Sequence, residues 1–162
     1  MRFGQKAVNV LVEWGAFTSE QRRLAVENDQ CEIIGDVTAA DQLSCSLTQL
    51  RVKQRNISPL RPDELQAWGD RVAKRVRYLL EAIETVELDA AHGRLLLRSA
   101  PPERKPDGVV LYYELVLESE GILTIERRRF DPTDRSRSRE PLHCTRELLE
   151  KLIDDLAATA VA

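Results

Sequence analysis

Between residues 62 and 158 the spacing of apolar side chains changes twice, and this restricts the architecture more than any other feature of the chain. Leu65, Trp68, Val72, Val76, Leu79 and Ile83 recur at intervals of three and four, the period of one helix face. Val109, Leu111, Tyr113, Leu115 and Leu117 then recur at intervals of two, the period of one strand face. Leu148, Leu149, Leu152, Ile153 and Leu156 return to the helical period. A chain patterned in this way buries one stripe of each helix against one face of a sheet.

The ends of these segments carry matching signals. Pro62 suits a first helical turn, where its missing N–H leaves nothing unpaired, and Asp63 and Glu64 add negative charge beside the positive helix end. Thr145 is suited to cap the last helix, with Glu147 following. Gly69 lies inside the first helix at a cost of about 1 kcal/mol relative to Ala, so a close packing contact is expected there.

Ser119-Glu120-Gly121 suits a three-residue hairpin loop. That loop sets Leu117 opposite Leu123, Leu115 opposite Ile125 and Tyr113 near Arg127. A slip of one residue would turn the whole apolar set outward. An earlier hairpin is expected from Glu84 to Asp89 and Arg94 to Ser99, joined through Ala90-Ala91-His92-Gly93. Pro101 to Gly108 reads as an exposed connection rich in breakers.

Residues 1–55 are patterned less clearly. Val8, Val10 and Val12 alternate within Ala7 to Trp14, which reads as a strand, and Thr18 or Ser19 reads as the cap of a helix running to Asn28. Cys31 to Gly35 reads as a short strand. Thr38 reads as the cap of a helix carrying Leu43, Leu47 and Leu50, and Lys53 to Leu60 as a linker. The expected fold is therefore α+β. A helix, a four-stranded antiparallel β-meander and a C-terminal helix occupy residues 56–162, and a mixed α/β N-terminal segment or subdomain occupies residues 1–55. This order of elements is similar in outline to small secretion-chaperone domains and, more distantly, to ubiquitin-conjugating-like folds. No motif of either family is present, and likeness of fold alone carries no function.

A chain of 162 residues can fill one core. No apolar run approaches the length of a membrane span, and the run from Ala7 to Val12 is interrupted by Asn9, so no signal segment is expected. Three well-separated cysteines, an odd number, fit reduced thiols and a cytoplasmic location. The net charge of -3 is uneven: residues 1–50 and 140–162 each sum to -3, whereas residues 51–139 sum to +3.

The positive charge concentrates in Arg127 to Arg139, with six arginines against two aspartates. Arg127, Arg129, Arg135, Arg137 and Arg139 have the forked donors that bind phosphate, and Phe130 could stack on a base. Ordinary strand geometry argues the other way, because side chains alternate between faces and acids on neighbouring strands can pair with them. Tyr112 lies on the mixed face of its strand with Val110 and Val116, a candidate surface for a partner. Cys144, with His143 beside it at the mouth of the last helix, is the candidate reactive thiol.

The scattered histidines and cysteines show no metal-site spacing and the isolated glycines no phosphate loop, so neither a metal, a cofactor nor a catalytic set is expected. The functional expectation is a non-catalytic protein-binding or adaptor, chaperone-like module. Its expected partner is another protein or a second copy of itself. The alternative is binding of nucleic acid or another polyanion through residues 127–139.

Overall fold

The computed structural model describes residues 1–78 and 82–160. Its elements run in the order α1 (Phe3–Trp14), β1 (Arg22–Glu27), β2 (Cys31–Ala40), β3 (Ser44–Gln54), α2 (Pro62–Arg75), β4 (Ala82–Asp89) and β5 (Arg94–Ala100). They continue with β6 (Glu103–Arg104), β7 (Val110–Glu118), β8 (Ile122–Asp131), β9 (Ser136–Glu140), β10 (Leu142–Thr145) and α3 (Arg146–Ala160). The fold is α+β, but the four-stranded meander expected from the sequence is corrected to one antiparallel sheet of ten strands. Its main path is β1-β2-β3-β8-β7-β5-β4, with β10 on β3, β6 on β7 and β9 on β8.

The N-terminal residues, expected as a mixed segment, contribute three strands to this sheet and a helix to its cover. Three local expectations are corrected there. Ala7 to Trp14 lies in a helix, because Gly4, Ala7 and Leu11 supply the buried helical stripe while Val12 stays 58% exposed. Residues 22–27 form a strand in which Leu24 and Val26 face inward. With only two apolar positions, the sequence did not separate the two periods.

Residues 44–54 also form a strand. Leu43, read as part of a helical stripe, is 78% exposed, while Cys45, Leu47, Leu50 and Val52 are buried. Register shifts around Val37 and Ala39 change the alternation on β3, so Leu47 and Leu50 both face inward although three residues apart. That irregularity imitates a helical interval. Thr38, read as a cap, lies in β2 and donates its hydroxyl proton to the Ser46 carbonyl at 3.3 Å.

The second half agrees more closely. Leu117 faces Leu123, Leu115 faces Ile125 and Tyr113 faces Arg127, with Gly121 at φ 89° in the loop. Ala82–Asp89 and Arg94–Ala100 form the earlier hairpin. α2 is shorter than its stripe suggests: it ends at Arg75, Ile83 belongs to β4, and Leu79 lies outside the described residues. Arg135 to Arg139 form a turn followed by β9, hydrogen-bonded along β8.

All three helices join one apolar core on one face of the sheet. Trp68 is buried at its centre and its indole N–H donates to Thr159 Oγ1 at 3.2 Å, satisfying a polar group that burial would otherwise penalise. Gly69 packs against Leu95 and Leu97, the close contact expected of it. Thr145 Oγ1 accepts from the Leu148 N–H at 3.0 Å, capping α3. No helix among the described residues is long and apolar enough to cross a membrane.

The crossing of α1 and α3 is set by Gly4, whose N–H donates to Asp154 Oδ1 at 2.8 Å. A methyl group at this position would overlap the Glu150 carbonyl oxygen. Gly4→Ala should therefore destabilise the protein by about 1–3 kcal/mol in urea unfolding, despite the better helix propensity of Ala. Unchanged or greater stability would show that the helices separate without cost.

Candidate functional site

The route of β9 and β10 creates a concavity on one face of the sheet. β3 pairs with β8 only through Leu50–Lys53, and its other half, Ser44–Leu47, pairs with β10. Past Glu126, β8 leaves β3 and pairs with β9. Only Pro141 separates β9 from β10, so one kinked strand crosses from β8 to β3. A residue without an N–H is tolerated at such a break in a ladder. On the opposite side the two-residue strand β6 and the turn after it flank β7.

Between these two walls lies a cleft of about 710 Å³. Leu111, Tyr113, Arg127 and Arg129 line it from β7 and β8, Glu103, Lys105 and Asp107 from the β6 side, and Glu140 to His143 from the kinked strand. The walls stand three strand spacings apart, about 14 Å. The cleft shares the helix-bearing face of the sheet, since Tyr113 and Arg127 continue the alternation of Leu115 and Ile125.

Arg127 is only 9% exposed. Its guanidinium stacks 4.3 Å from the centroid of the Tyr113 ring, and Nη2 donates to Glu103 Oε2 at 2.8 Å. This combination supplies the hydrogen bonding and charge pairing that a buried cation needs. Lys105 pairs with Glu103 at 3.0 Å, and Arg129 with Glu140 at 3.6 Å and Asp131 at 3.7 Å. Lys105, and then Arg127, hold the Glu103 carboxyl below its ordinary pKa.

The structure thus divides the residues singled out by sequence. Arg127 and Arg129 contribute side chains to the cleft, and His143 borders it where the kinked strand turns onto β3. Tyr112, Phe130, Arg137 and Arg139 belong to the opposite, helix-free face. Tyr112 is 6% exposed, not an open patch, because Arg98 lies over its ring and Arg137 Nη1 donates to its hydroxyl at 2.8 Å. Arg137 also lies 4.8 Å from the Phe130 ring centroid. Arg139 and Arg128 both pair with Glu126, at 3.1 and 3.5 Å. Arg135 occupies the β8–β9 turn at φ 57° and is exposed.

His143 and Cys144 are neighbours on a strand and point to opposite faces. His143 Nδ1 shares a hydrogen bond of 2.6 Å with Ser46 Oγ, whereas Cys144 faces the core at 3% exposure. The sequence reading missed Glu103, Lys105, Leu111 and Glu140 as cleft residues. Glu140 opposes Arg127 in the register of β8 and β9, a pairing visible only once residues 136–140 are known to form a strand. No family model, curated protein or solved structure matches this chain.

Burial, with no compensating cation, pushes the Cys144 thiol up to about 12, and Cys45 is pushed up to about 11. A thiol raised in the folded state contributes stability below its unfolded value, and that contribution is lost as pH rises toward the folded value. The urea midpoint should therefore fall as pH rises from 9.0 toward about 12. Removing both thiols with Cys45→Ala and Cys144→Ala should remove part of that slope; an identical slope would contradict the assignment.

Proposed function

We propose that the protein is a protein-binding module that receives an extended segment of a partner polypeptide in the cleft over β7 and β8. The observation that carries this reading is the lining itself. Apolar groups from Leu111, Tyr113 and Leu142 alternate with charges of both signs, and five of those six charges are already paired, Arg127 and Lys105 with Glu103 and Arg129 with Glu140. A polyanion site needs excess positive charge that releases counterions on binding. Four of the six arginines between 127 and 139 instead pair with carboxylates, which favours a polypeptide over nucleic acid.

Selection from a displayed library of unstructured peptides, followed by fluorescence anisotropy on the full chain, tests this reading. Leu111→Glu places a carboxylate on the half-buried floor, and it should weaken the selected peptides by about tenfold or more without changing the folded far-ultraviolet spectrum. Peptides that bind the variant undiminished would overturn the cleft assignment. An oligonucleotide that binds more tightly than any peptide, with a steep salt dependence, would replace it with the polyanion reading.

A further inference from the structure

We propose that Cys45 and Cys144 form a reversible cross-strand disulfide under hydroperoxide oxidation, which staples β10 to β3. Although 99 positions apart in sequence, the two residues are direct partners in the ladder, and both face the core at 3% exposure. Two residues further along, the Arg146 N–H donates to the Leu43 carbonyl at 2.9 Å. Because hydrogen-bonded and non-hydrogen-bonded pairs alternate along an antiparallel ladder, Cys45 and Cys144 form a hydrogen-bonded pair. Their Cα atoms are then about 5.5 Å apart, inside the range a disulfide spans. Cβ atoms in such a pair stand somewhat wider than in a relaxed disulfide, so the bond draws the strands together and is readily reduced.

The surroundings also set the order of reaction. Arg146 pulls the Cys45 thiol down against the effects of burial and of Asp41, whereas Cys144 has no such cation. Cys45, as thiolate, attacks one oxygen of hydrogen peroxide. The O–O bond breaks, and the departing hydroxide takes up the proton the thiol released. The resulting sulfenic acid on Cys45 is attacked by the Cys144 sulfur, which expels hydroxide; that leaves as water with the Cys144 proton. Two thiols and one peroxide become one disulfide and two waters, with one electron supplied by each sulfur. Burial restricts the oxidant to the smallest of its class. Cys31 lies opposite Gln54 and has no thiol across the ladder.

The test oxidises the native full chain with hydrogen peroxide, blocks free thiols in denaturant, and maps the linkage by mass spectrometry. Free thiols should fall from three to one, with a peptide pair joining Cys45 to Cys144 that dithiothreitol separates. The rate should rise with pH, and Cys31→Ala should retain the bond while Cys45→Ala or Cys144→Ala abolishes it. Three thiols remaining, a bond dominated by Cys31, or over-oxidised Cys45 without the linkage would each overturn the proposal. The readout is independent of whether the cleft binds peptide.

Discussion

Strand β3 runs for eleven residues through the middle of the sheet, and every peptide group along it needs a partner. β2 follows its first edge. On the second edge β8 pairs with only four residues before it turns toward β9, and β10 is needed to pair with the remainder. The chain meets this demand with a single strand kinked at Pro141, bound to β8 before the kink and to β3 after it. The start of α3, the wall of the cleft and the meeting of two thiols all depend on that crossing.

Uneven helix coverage accounts for the chemistry of the cleft. Over β3, β5 and the nearer halves of β7 and β8, inward positions are filled by Leu50, Leu95, Leu97, Leu115 and Ile125. Past the end of the helix layer the same alternation continues with Tyr113, Arg127, Leu111 and Arg129. Arginine is tolerated there because aromatic stacking and carboxylates replace the lost water. The opposite face uses similar pairs for a different result. Arg98 and Arg137 cover Tyr112, so an aromatic ring on a helix-free surface is kept from solvent by its own chain.

Legibility in the sequence followed the length of each periodic run. The β7–β8 register was recoverable because a three-residue loop and two long apolar alternations admit only one alignment. The stripe from Leu65 misled at its end, since a residue on the inner face of β4 happens to follow Val76 at a helical interval. β3 misled because its irregular register with β2 broke the period of two. The candidate site was legible only in part. Arg127 and Arg129 stood out by charge, but Glu103 lies in a connection with no periodic signal, and its partner is two strands away.

By itself the sequence determined the α+β class, the C-terminal helix with its Thr145 cap, and the pairing of the last long hairpin. Each of these rests on local chemistry: side-chain period, capping and loop length act over a few residues. Tertiary structure alone decided that the N-terminal residues supply three strands, that β9 and β10 cross a fork, and that Cys45 meets Cys144. Those outcomes depend on which strand edges remain unpaired after the local elements form. That is a property of the whole sheet, with partners up to 101 positions apart, and no short window of sequence contains it.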